Sequence, residues 1–217
     1  MLRAAFGHRA RWGIASLAMV SAVFGLSIVG TTAAHASTSL NWACEGDWPF
    51  QSVQFTLAQS FTSSAPSTET VGTAFSGSAT LSSWTVPSVV DGITISALQD
   101  LSLTIGTTDA TVNSASLSGG ANLGSTPSVS VSGTNVVVSI PGPLTSGTVV
   151  TFPKVKISLT GNAVGTLTTF ISGTSYTSPG LTVTAVVPSG SGGSPLDVGA
   201  GCYPDPAETV TSTSIIS

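Results

Sequence analysis

The sequence predicts an all-β protein: a single antiparallel β-sandwich, immunoglobulin-like, over residues 37–217 after a cleaved signal peptide over residues 1–36. Three observations predict it. Apolar residues alternate with Ser, Thr or Gln in one segment after another, the period-two pattern of a strand with one buried and one wet face. Turn-forming pairs of Gly, Asn, Asp and Pro fall between those segments. No convincing helical period follows residue 37.

Export comes first along the chain. Arg3, Arg9 and Arg11 precede an apolar run from Gly13 to Gly30, and Ala34-His35-Ala36 supplies a small-x-small site, so cleavage is expected between Ala36 and Ser37. The apolar run approaches the length of a membrane span. The basic start and the Ala-x-Ala site together favour a removable signal over an anchor. Ala10 separates Arg9 from Arg11, so no twin-arginine signal is present, and no cysteine stands at the cleavage point to mark a lipoprotein. The closing residues TVTSTSIIS offer neither a hydrophobic tail nor a basic stop, so no membrane contact is expected after signal removal. The mature domain is therefore expected to be secreted, in the extracellular medium or the cell envelope.

The strands follow in order. Val53, Phe55 and Leu57 point one way, and Gln54 and Thr56 the other. Asp91-Gly92 sits between Val89-Val90 and Ile93-Thr94 as a two-residue hairpin loop. Leu101, Leu103 and Ile105 alternate with Ser102 and Thr104. Gly133-Thr134-Asn135 divides an SVSVS run from Val136, Val138 and Ile140, and Pro141-Gly142-Pro143 interrupts the chain there, since proline cannot donate to a sheet ladder. Val155, Ile157 and Leu159 oppose Lys154, Lys156 and Ser158, and Gly161-Asn162 ends that segment. Leu181, Val183, Ala185 and Val187 complete the series. Roughly nine or ten short strands at these spacings suit a sandwich better than a βαβ fold.

Cys44 and Cys202 are the two cysteines of the chain, and an oxidising compartment leaves them one pairing. Their bond would tie the start of the domain to its end. Around them, Trp42-Ala43-Cys44, the run PGPLTSGTVVTFP at 141–153, GTSYTSPG at 173–180 and Cys202-Tyr203-Pro204-Asp205-Pro206 resemble an uncharacterised family of secreted actinobacterial β-sandwich proteins, labelled hypothetical or sometimes cyclase. The resemblance implies the same fold and export, and brings no catalytic residues.

Charge and composition exclude several chemistries. His8, His35 and all three arginines belong to the signal, leaving Lys154 and Lys156 against nine carboxylates. Two lysines on an acidic domain cannot supply the basic surface that nucleic acid requires. Without histidine, neither a Ser-His-Asp triad nor a histidine-bearing zinc site can be assembled in residues 37–217. No G-x-S-x-G elbow, dinucleotide fingerprint, phosphate loop or EF-hand loop is present. The sequence thus assigns no catalytic residue, metal ligand or cofactor.

Three weaker patterns remain. If Cys44 joins Cys202, then Glu45 and Asp47 are expected near Asp205 and Glu208, forming an acidic pole. That pole would solvate the surrounding loops, hold Ca²⁺, or pair two carboxylates for glycoside hydrolysis; solvation is the favoured reading. Trp42, Trp48, Phe50 and Tyr203 would cap the core or stack on sugars, with packing favoured. Lys154 and Lys156 share the wet face of one strand and are read as guards against edge pairing. The functional expectation is a non-catalytic secreted or envelope protein with a structural or protein-interaction role and an unidentified extracellular partner. The alternative is an extracellular carbohydrate-binding module, calcium-assisted if the acidic pole holds an ion, with an enzyme a distant third.

Overall fold

The computed structural model describes residues 33–48, 51–189 and 193–217, with the backbone alone at 33–36. The apolar run from Gly13 to Gly30 and Phe50 lie outside the described residues. The first half of the chain holds β1 (Ala33–Trp48), β2 (Gln51–Pro66), β3 (Thr68–Thr70), β4 (Ala74–Leu81), β5 (Trp84–Thr85), β6 (Val89–Val90), β7 (Ile93–Thr94), β8 (Ala97–Thr108) and β9 (Ala110–Ser118). The second half holds β10 (Ser128–Ser132), β11 (Asn135–Ile140), β12 (Leu144–Thr145), β13 (Val149–Val150), β14 (Lys154–Gly161), β15 (Gly165–Ile171), β16 (Leu181–Val187), β17 (Leu196–Pro204) and β18 (Thr209–Ile216). No helix occurs among the described residues, and every strand pair is antiparallel except β18 with β3.

Local chemistry accounts for the hairpins. Asp91 and Gly92 both take positive φ, 48° and 80°, as a tight turn between β6 and β7 demands. Gly133, at φ 60°, turns β10 into β11.

The long strand β8 organises the sheet. Ile105 pairs with Val136 of β11 on one side and Ile171 of β15 on the other, while Leu103 pairs with Val138 and with Leu181 of β16. β15 and β16 therefore lie end to end along one edge of β8. The next layer of pairing repeats the division, β18 on β15 and β17 on β16. From β17 the ladder continues through β1, β2, β4, β14 and β9.

Side chains follow the alternation. Leu101, Leu103, Ile105, Val136, Val138, Ile140, Val155, Ile157 and Leu159 are all buried. Phe61 of β2, Leu81 of β4 and Val155 of β14 line the same cavity as Leu103 and Val138, although their strands stand far apart in the ladder. The ladder thus bends back on itself, and the apolar faces of its two ends meet across one core.

Two expectations are corrected. β1 and β2 run to 16 residues each, and six strands have only two or three, so the strands outnumber the expected short ones. A two-residue strand is too short to show a period, and of these segments β6 and β7 alone were legible, through the Asp91-Gly92 turn between them. The lysines do not guard an edge: Lys156 pairs with Ser78 of β4 and with Ser116 of β9, so β14 is an interior strand. Alternation reveals which way a side chain points but not how many neighbours its strand has.

Candidate functional site

Strand β1 sends Leu40, Trp42 and Cys44 into the core, each no more than 1% exposed. Cys44 stands directly opposite Cys202 of β17 and is bonded to it, with the Cα atoms 4.1 Å apart. The bond therefore joins neighbouring strands of one ladder, whereas the conserved bridge of antibody domains crosses between two sheets. With the cystine facing inward, the next residues face out. Tyr203 lies opposite Ala43, and Glu45 opposite Gly201.

A loop completes this outer face. The chain leaves β15 at Ser172 and returns at Gly180, and both ends are pinned to one residue of β8: the Ser172 N–H donates to the Thr104 carbonyl, and the Thr104 N–H donates to the Gly180 carbonyl. A Cβ at Gly180 would collide with the Ser172 carbonyl, and Gly173 has φ 101°, so a glycine is needed at each end. The loop crosses β17 where Gly201 leaves room: a Cβ there would stand 3.3 Å from the Tyr176 carbonyl oxygen. Tyr176 and Tyr203 meet edge to face, ring centroids 5.2 Å apart and planes at 70°. Beside them, Gln54 Nε2 donates to Glu45 Oε2 at 2.8 Å. Partial burial, then Tyr203, then the Glu45 carboxylate raise the pKa of the Tyr176 phenol above its ordinary value.

The acidic pole is not assembled. Glu45 stands opposite Gly201, whereas the Asp205 N–H donates to the carbonyl of Asn41, four residues back along β1 and so roughly 13 Å away along the strand. Antiparallel pairing is the cause. Residues following Cys44 and residues following Cys202 run in opposite directions from the bridge. Among the described residues, no group of three or more His, Cys, Asp or Glu side chains is placed to hold a metal ion. The aromatic cluster also separates. Trp42 is a core residue, Trp48 is half-buried at the end of β1, and Tyr203 is half-buried on the opposite face. Tyr176 was missed by sequence reasoning, though the paired glycines of GTSYTSPG signal a pinched loop that would present it.

No protein-family model matches the chain, and no curated protein matches it. Among solved structures it is similar to a Corynebacterium diphtheriae protein described as "Putative membrane anchored protein", at 17% identity and a TM-score of 0.50. The match covers 84% of this chain and 38% of that one, so the chain spans well under half of that protein's length. The likeness is one of fold.

Proposed function

We propose that the chain is an exported, non-catalytic β-sandwich of the cell envelope or its surroundings, cleaved between Ala36 and Ser37, with a structural or protein-contacting role. The observation that carries this reading is the fully buried Cys44–Cys202 bond, since structural disulfides persist in oxidising compartments. The layering of the core supports an immunoglobulin-like sandwich, with its cystine held within one sheet. The fold likeness to a Corynebacterium protein supports membership of the uncharacterised secreted actinobacterial group. Its partner is an extracellular or envelope component, and two lysines make nucleic acid a poor one. β1 runs through the proposed cut, so cleavage removes residues 33–36 from its start and leaves Cys44 paired.

Fractionation of the producing cell tests the proposal, with the intact mass recorded before and after reduction. Protein in the medium or envelope, starting at Ser37 and gaining two hydrogens on reduction, is the expected result. Protein retained in the cytoplasm with free thiols overturns it.

A second reading rests on the tyrosine pair. Two aromatic rings beside a hydrogen-bonded Glu45–Gln54 pair are the components with which a β-sandwich module holds a sugar. Tyr176→Ala and Tyr203→Ala should each weaken glycan binding at least tenfold. Absence of binding by the unmutated protein across a broad glycan panel ends this reading.

A further inference from the structure

The edge of a sheet is a template for a further strand, and native proteins blunt such edges with shortness, charge, proline or a bulge. Three edges of this ladder carry such a device. β3 has three residues and includes Glu69, and β12 has two residues. β9 is bulged, because Val112 stands opposite Leu159 and Ser114 opposite Ser158, which leaves Asn113 over. β10 has no such device. Its five residues, Ser-Val-Ser-Val-Ser, keep an unbroken register on β11 and contain neither charge, proline nor glycine. Among the described residues β10 pairs with no other strand.

The hairpin fixes the direction of its free groups. Gly133, at φ 60°, and Thr134 form a two-residue loop, so the pair that closes it, Ser132 with Asn135, is hydrogen-bonded. By alternation Ser130 and Ser128 also bond to β11, and the N–H and C=O groups of Val129 and Val131 point away from it. No other main-chain partner takes up those groups among the described residues. β9 packs beside β10 without a ladder. The side chains divide in the same way. Ser128, Ser130 and Ser132 are exposed on the wet face, while Val129 and Val131 share the core side with buried Val138 and Val136. Val131 is nevertheless 40% exposed, at the rim of the core.

We propose that β10 pairs with β10 of a second copy of this chain, antiparallel about a two-fold axis through Ser130. Two features select a second copy over a different chain. The segment is a palindrome, so the two-fold sets valine against valine and serine against serine, the self-match that an isologous interface requires. The protein is acidic overall, yet no charged residue occurs from Ala110 to Pro153, so β10 carries no charge to repel its copy. Val129 and Val131 of the second copy exchange N–H···O bonds in both directions, and the symmetry repeats the exchange. Each exposed Val131 then gains a valine neighbour on the core side. A pairing of this length lies at the small end of interface sizes, under about 1,200 Å², so the dimer is reversible and concentration-dependent. The two-fold uses up the edge, and assembly stops at two copies.

Sedimentation velocity of the purified protein tests this. Between about 1 μM and about 1 mM the mean mass should climb from one copy toward two and no further. Val131→Pro deletes an N–H that β11 does not use, and should weaken the association at least tenfold while the β spectrum is kept. Ser130→Cys gives a reading that does not depend on a proline. Its Cα would stand about 4.5 Å from that of its copy, within reach of a disulfide, so mild oxidation should cross-link it. Ser128→Cys is the control, because two residues off the axis its copy is roughly 13 Å away and no cross-link should form. A single copy at every concentration overturns the proposal and leaves the edge to a strand of a different protein. So does growth beyond two copies, association that Val131→Pro leaves unchanged, or cross-linking of Ser128→Cys as fast as Ser130→Cys.

Discussion

Every influence on Tyr176 acts in one direction. Partial burial, the neighbouring Tyr203 and the Glu45 and Asp205 carboxylates all disfavour the phenolate, so its pKa lies above the ordinary 10.0. Glu45→Gln removes one cause and should shift the phenolate absorbance transition to lower pH. The sign for stability follows from linkage. A folded-state pKa raised above the unfolded one contributes stability that is fully present below pH 10 and is lost as pH rises through the folded value. Tyr176→Phe, which cannot ionise, should therefore soften the fall in thermal stability above pH 10. Trp42 gives the contrasting case. As an exposed sugar platform it would tolerate truncation, but in the core Trp42→Ala should lower the unfolding free energy by about 3–5 kcal/mol, read from the urea midpoint.

The loop from Ser172 to Gly180 depends on its closure more than on its tip. Thr104 holds both ends through its own N–H and carbonyl, and the ends approach so closely that a methyl at Gly180 has no room. Gly180→Ala should destabilise the protein by ~1–3 kcal/mol, as overpacking does, and separate the Tyr176 and Tyr203 rings. NMR shifts of the two rings would report the separation. Gly199 is the control, because a Cβ there meets nothing within 4 Å and Gly199→Ala should leave both readouts unchanged. The same contrast shows what could be read in advance. Alternation correctly placed the buried sides of β8, β11 and β14, and Asp91-Gly92 correctly placed a hairpin, because both are properties of adjacent residues. The neighbours of β14 and the pinch at Thr104 depend on partners many residues away, which no local period encodes. The outer face went unseen for that reason: Tyr176 comes from one segment and Glu45 from another, brought together by β17 between them.

At the scale of the molecule, the cystine joins β1 to β17 across a sequence separation of 158. The pairing itself was legible, because two cysteines allow one bond. Its consequence for the acidic residues was not, because that depends on the antiparallel direction of the bridged strands. The bridged strands are already held by a continuous register from Trp42 opposite Pro204 to Gly46 opposite Ala200. The bond therefore adds little to the folded contacts and acts mainly on the unfolded chain, where closing so long a loop is worth about 5 kcal/mol in the entropy model. A Cys44→Ala, Cys202→Ala double variant should keep the strand spectrum of the oxidised protein while losing ~2–5 kcal/mol of unfolding free energy. Its urea dependence should also steepen, because an uncrosslinked unfolded chain exposes more surface. A variant that instead loses its far-ultraviolet β signal at low temperature would show that the ladder between β1 and β17 cannot form without the bond. The cystine would then be a condition of the fold rather than a restraint on its unfolded state.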